Sequence, residues 1–226
     1  MIINSQGFGH FTKGLNNQDF GIETSRMVLV LDGCSEAKYS ELGTRLFGQL
    51  FSKVENCDDV EMFEENVKNT FENILEMMRN YYTSSEEFEQ EFIMENLLFT
   101  IIALFETESE FVVKLFGDGY VIAQNAQNNV SFMRHYYDKC PPYFAYKYCQ
   151  LKEFKDYQFK TFRFSKERFK QVAIATDGVM PIARGELKGI DNLIFGRDKI
   201  QIESEIRNQR QLFFDDITIG VLGGKA

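Results

Sequence analysis

Apolar positions run along the chain in two rhythms. An unbroken run from Met27 to Leu31, closed by Asp32 and Gly33, predicts a buried strand. Leu42, Leu46, Leu50 and Val54 then recur four apart, as one face of a helix does, with Ser40 placed to cap it. A second helix is expected from about Asp58, which forms a capping-box pattern with Glu61. Its core face reads Val60, Phe63, Val67, Phe71, Ile74, Leu75 and Met78. After TSSEEFEQEF the texture changes to strands. LLFTIIALF, FVVKLFG, YVIAQN and VSFM follow one another across short polar breaks and read as an antiparallel meander. YQFKTFRF alternates with period two, QVAIAT is a buried strand ending at Asp177-Gly178, residues 198–212 read as a polar helix, and DDITIGVL supplies a final strand.

The order is strand, two helices, several strands, helix, strand. Without βαβ alternation a Rossmann-type sheet is disfavoured, and an α+β antiparallel sandwich with helices outside paired sheets is expected. No repeat, low-complexity tract or linker interrupts the 226 residues, so a single domain over 1–226 is expected.

Composition narrows the function classes. Hydrophobic residues at 44% support a core, and 23 Phe and 10 Tyr with no Trp make it an aromatic one. A net charge of −9 lacks the basic footprint that nucleic acid requires. Cys34, Cys57, Cys140 and Cys149 form no CxxC pair, and His10 and His135 are the two histidines, so structural zinc is poorly supported. The start MIINSQGFGH has neither a basic nor a long apolar region of a secretory signal, and the longest apolar runs are too short to cross a membrane. The expected compartment is the cytoplasm, with reduced thiols.

Acids recur where strands end: Asp32, Asp118, Asp177 and the pair Asp215-Asp216, with Asp19 in NNQD as a further candidate. Any one of them reads well as a turn residue, and Asp118-Gly119 between two strands is the clearest hairpin. Together they say more. Asp32 leads into a helix and Asp177 into GVMPIARGEL, neither a return strand. Acids gathered at one edge repel unless a cation neutralises them. Oxygen ligands without His or Cys clusters favour Mg²⁺ or Mn²⁺, and two such ions about 3.5–4 Å apart suit phosphoryl hydrolysis.

The pieces NNQD (16–19), LDGCSEAKYSELG (31–43), FGDGYVI (116–122), ATDGVM (175–180) and DDIT (215–218) resemble, in order, the motifs of the PPM-type (type 2C) metal-dependent protein serine/threonine phosphatases, closer to divergent bacterial members. The resemblance implies a four-layer αββα sandwich, two central antiparallel sheets flanked by helices, with metals at one sheet edge. It implies a phosphorylated protein as substrate and two Mg²⁺ or Mn²⁺ ions. Hydrolysis would proceed by direct attack of a water bridging the ions. Carried over by motif, Asp32, Asp177 and Asp215 are the catalytic acids. Asp32, the Gly33 carbonyl, Asp177, Asp215, Asp216, Asp19 and Asp118 are the metal-site residues.

The chain departs from the family pattern at four points. Gln18 stands for a metal-linked Glu. Cys34 stands where eukaryotic members carry a His. Pro181 stands where many members carry a second Asp that completes a third-metal site with Asp118. Gly14 stands where a phosphate-binding Arg lies, leaving Lys13 as the nearest cation. These departures keep an alternative open: a weakly active or inactive sensor or partner-binding module on the same fold. Lys13, Ser35 and Lys147 are the substrate-binding candidates. The aromatic segment 135–157, with Lys139 and Lys147, reads either as a substrate-docking flap or as rings packed on a sheet. Cys34 lacks a His partner and reads as a plain small residue rather than a nucleophile.

Overall fold

Ten strands divide between two antiparallel sheets in a computed structural model that describes residues 1–81, 85–138, 140–149, 151, 156–186 and 194–224. One sheet has the order β1 (Ile2–Ser5), β10 (Ile217–Gly223), β9 (Phe169–Ala175), β6 (Gly119–Asn125), β7 (Val130–His135). The other runs β2 (Phe20–Glu23), β3 (Met27–Gly33), β4 (Phe99–Glu106), β5 (Glu110–Phe116), β8 (Lys160–Ser165). The central strands are apolar almost throughout because both of their faces are covered. In β3, Val28 and Val30 meet Val121, Val172 and Ile174 of the other sheet. The alternate residues Met27, Leu29 and Leu31 pack beneath α2 (Ser40–Phe51), α3 (Phe63–Tyr81) and α4 (Glu86–Asn96). On the far side, α5 (Met180–Ala183) and α6 (Lys199–Asn208) cover β6, β9 and β10. The result is the expected α+β arrangement, helix, sheet, sheet, helix.

Phenylalanines fill the layer under α2 and α3. Phe47 meets Phe71 at 5.0 Å and Phe99 at 5.4 Å, and Phe63 meets Phe105 edge-on at 5.2 Å. Tilted and edge-to-face rings satisfy the quadrupole while filling space. The core face read for α3 is buried from Phe63 through Met78, with Val60 packed beside it.

Four local expectations need correction. The α2 face is Gly43, Thr44, Phe47, Gly48 and Phe51, and Leu42 is 56% exposed. Small residues let α2 lie close against the chain end of α4, so Leu46, Leu50 and Val54 pack half-buried beside that face and Leu42 turns to solvent. Ser40 does not cap α2: Tyr39 holds that position with no side-chain bond, and the Ser40 hydroxyl is buried. The turn before α3 is closed by Asp59, whose Oδ1 accepts the Glu61 and Met62 amides, rather than by Asp58. The meander is broken at Asp118. β5 pairs with β4 and β8, whereas β6 pairs with β7 and β9, so Gly117-Asp118-Gly119 is a crossing between sheets and not a hairpin. Gly117 and Gly119 adopt φ of 106° and 139°, which only glycine takes without strain.

Candidate metal centre

The crossing at Asp118 brings a strand end from each sheet to one edge. Asp32 continues the alternation of Val28 and Val30 and so belongs to the layer between the sheets. Thr100 lies opposite it in register on β4. From the other sheet, β9 ends at Ala175 and delivers Thr176 and Asp177, while Asp215 and Asp216 precede β10. Two reciprocal bonds tie these ends together: the Thr176 amide donates to the Thr218 carbonyl and the Thr218 amide to Thr176 Oγ1, both at 3.0 Å. Thr176 Oγ1 also donates to Asp19 Oδ2 at 2.9 Å, fixing the buried Asp19 carboxylate.

These acids act on one another. Burial drives the Asp32 carboxyl well above its ordinary range, and Asp19, Asp177, Asp118 and Asp215 push it further. Asp19 is raised by burial and then by Asp216 and Asp215, against its hydrogen bonds from Thr176 and Thr218. Asp177 is raised to about 6 by burial, Asp215 and Asp118. Asp118 is raised by burial, while Arg134 opposes the shift. Among the described residues none of Asp19, Asp32, Asp118, Asp177 and Asp215 enters an ion pair. Three buried polar atoms lack a partner there, Gln18 Oε1, Ser40 Oγ and Thr100 Oγ1. Thr100 is the cross-strand neighbour of Asp32 and shares its face, whereas Ser40 Oγ and Gln18 Cβ lie 2.9 and 3.0 Å from a Cβ placed on Gly33, on the opposite, helix-covered face of β3. Crowded, desolvated carboxylates beside an unsatisfied hydroxyl are a donor set suited to a hard divalent cation.

Asp216 does not join this group in the way its place beside Asp215 suggests. Its Oδ1 accepts the Gly7 amide at 2.7 Å, and its Oδ2 accepts the Gln18 amide at 2.7 Å and lies 2.7 Å from His10 Nδ1. His10, Asp215 and Asp216 bring ligand-type atoms within 4.8 Å of one another, but the Asp216 carboxylate is fully engaged by the chain. It ties the start of α1 (Phe8–Lys13) and the loop before Asp19 to the Asp215 turn. His10 is a residue that sequence reasoning missed, because its partner lies 206 positions away.

The substrate-binding candidates fare differently. Ser35 is exposed just past Asp32. Lys13 is exposed at the end of α1, its ammonium 5.9 Å from the Phe214 ring. Lys147 is not at the acidic edge. It stands over the rings of Phe116 and Phe144 on the helix-covered face of the sheet, opposite the face that carries Asp32. Burial there pulls its ammonium pKa down. Lys139 lies outside the described residues. The described part of the aromatic segment is mostly packing: Tyr143, Phe144, Ala145, Tyr146 and Cys149 are buried in the layer with α3. Tyr143 nevertheless lies close to Cys34 near the metal edge. Burial, and after it the neighbouring Cys34 thiol, push the phenol far upward.

A family model described as Protein phosphatase 2C matches residues 6–202. No curated protein matches the chain. Among solved structures the chain is similar to the serine/threonine phosphatase Stp1 from Staphylococcus aureus, with 13% identity and a TM-score of 0.64 over 100% of this chain and 94% of that one. It is similar to the Mycobacterium tuberculosis serine/threonine phosphatase PstP/Ppp, with 11% identity and a TM-score of 0.63 over 100% and 98%. The catalytic domain of PstP in complex with 2 manganese ions matches at 13% identity and a TM-score of 0.63 over 98% and 95%. At these identities the likeness is one of fold.

Proposed function

The chain belongs to the protein phosphatase 2C family, and from that premise we propose that it is a divalent-metal-dependent phosphatase of phosphoserine and phosphothreonine in proteins. The observation that supports this reading is the convergence of Asp19, Asp118, Asp177 and Asp215 on Asp32, beside the unpartnered buried Thr100 hydroxyl. Asp32, Asp177 and Asp215 would hold Mg²⁺ or Mn²⁺, with the Gly33 carbonyl and Asp19 completing the set. Bound there, such ions would neutralise the acids, polarise a phosphoryl oxygen and lower the pKa of a coordinated water.

The chain's own groups prepare that site. Thr176 orients Asp19, the Asp216 amide holds Asp215 Oδ1 at 2.9 Å, and the Asp216 carboxylate fixes the loop through Gln18. With Cys34 in place of a histidine, the protic groups near Asp32 include the Cys34 thiol, the Tyr143 phenol and the Thr100 hydroxyl. Burial keeps the Tyr143 phenol protonated. All four cysteines are free, which supports a reducing compartment such as the cytoplasm. No helix among the described residues is long and apolar enough to cross a membrane.

Gln18 favours a second reading, a metal-binding module without turnover, because its neutral amide stands beside Asp19 where an acid would strengthen the site. Phosphate release from a phosphothreonine peptide separates the two. The phosphatase reading expects Mn²⁺-dependent release that is abolished by chelation and by Asp177→Ala. Saturable Mn²⁺ binding without any release would favour the module.

A further inference from the structure

A phosphoryl dianion approaching five carboxylates needs a fixed cation beside the metals, because the acids alone repel it. Of the candidates read from the sequence, Lys13 lies against the Phe214 ring and Lys147 stands over Phe116 and Phe144, away from the acidic edge, and two further cations are engaged elsewhere. Lys38 pairs with Glu95 at 3.4 Å. Arg45, on α2, donates both to the Glu41 carbonyl and to the Asn17 carbonyl at 2.8 Å.

Arg134 is placed differently. On β7 it lies opposite Tyr120 of β6, and Tyr120 lies opposite Ala175 of β9. β6 begins directly after Asp118, and Ala175 is two residues before Asp177. With strands about 4.8 Å apart, Arg134 is one strand from the Asp118 end and two from the Asp177 end. Tyr120 shares a buried cluster with Val179, two residues past Asp177, so the Arg134 guanidinium stands on the α5/α6 face of its sheet beside the Asp177 turn rather than in the layer that holds Asp32. It rests over the ring of Tyr120 at 6.0 Å and that of Tyr136 at 5.0 Å, so aromatic faces hold it rather than an acid. Arg134 is exposed and enters no ion pair among the described residues. Its positive charge lies near both Asp118 and Asp177. Arg184, at the end of α5, is near the same tyrosine but lies 3.8 Å from Glu186.

We propose that Arg134 is a substrate-binding residue that takes the phosphoryl oxygens of the substrate from the β7 side of the acidic edge. The proposal rests on the phosphatase reading and adds a residue, on a different strand, to its binding machinery. A planar guanidinium preset on two rings offers a bidentate fork to two phosphoryl oxygens, which a lysine matches only in charge.

The test is calorimetric binding of inorganic phosphate to the full chain loaded with Mg²⁺, with Mg²⁺ affinity measured beside it. Losing a charge-assisted pair, Arg134→Ala should weaken phosphate binding about tenfold or more, and Arg134→Lys should recover part of the loss. Mg²⁺ affinity should be kept or tightened, since a cation has left the neighbourhood of Asp118 and Asp177. Equal phosphate binding by wild type and Arg134→Ala overturns the proposal and leaves the phosphatase reading standing. A parallel loss of Mg²⁺ affinity overturns it too, because it assigns Arg134 a purely structural role. So does failure of the Mg²⁺-loaded wild type to bind phosphate. A wild type that binds neither Mg²⁺ nor phosphate overturns the phosphatase reading and this proposal together.

Discussion

Side by side in the chain, Asp215 and Asp216 meet opposite surroundings. Asp216 is 2% exposed and its two oxygens meet three donors from Gly7, Gln18 and His10. Replacing it with Ala leaves those donors buried and unpaired, so Asp216→Ala should lower folding stability by about 3 kcal/mol or more in urea denaturation. Asp32 should respond the other way. It is held among like charges, so in metal-free protein Asp32→Asn should raise Tm by about 2–4 °C, roughly 1 kcal/mol, while removing any stabilisation by Mn²⁺. Both measurements are thermal or chemical melts and need no substrate. The strand-end acids were legible in sequence because Asp-Gly after an apolar run is local information. The role of Asp216 was not, since its Gly7 partner is 209 positions away. Nor were Thr100 and Arg134 legible, because only strand register brings them to the acids.

At the scale of elements, the three-dimensional packing decides what periodicity leaves open. The helix over 63–81 was legible because its apolar residues form one strong stripe. The face of α2 was misjudged because a four-residue leucine ladder is visible in sequence, while close approach by glycine is not. A methyl group on Gly43 would lie 1.7 Å from the Asn96 carbonyl oxygen at the end of α4. Gly43→Ala should therefore destabilise by about 3 kcal/mol, measured as a lowered urea midpoint with unchanged slope. The helix α4 itself escaped sequence reading: Ile93 is its one fully buried position among charged residues, too little for a periodic signal. The crossing at Gly117-Asp118-Gly119 was read as a hairpin because Asp-Gly between two strands is the ordinary hairpin signal. Only the pairing of β5 and β6 with different sheets reveals that Asp118 sits at the shared edge.

Across the whole molecule, two sheets meet so that their acidic strand ends share one edge, and this makes stability depend on pH and on metal. In metal-free protein the carboxyls of Asp19, Asp32, Asp118 and Asp177 have raised pKa values, about 6 for Asp177. A raised folded pKa stabilises most below the unfolded value, near pH 4, and that stability is lost as pH rises through the folded pKa. The Tm advantage of metal-free Asp32→Asn over wild type should thus grow from about pH 4 to pH 7. Metal binding, which competes with those protons, should strengthen over the same interval. A flat difference across that range would contradict the crowding of these acids.

The central claim is that Asp32 is the hub of a divalent-metal site, and calorimetric titration of Mn²⁺ into metal-free protein at pH 7.5 to 8, on the order of one to two pH units above the Asp177 value, tests it directly. The expected result is saturable binding of about two ions per chain, abolished or reduced to one weak site in Asp32→Asn with the fold intact. Absence of saturable binding in the wild type, or binding left unchanged by Asp32→Asn, would contradict it.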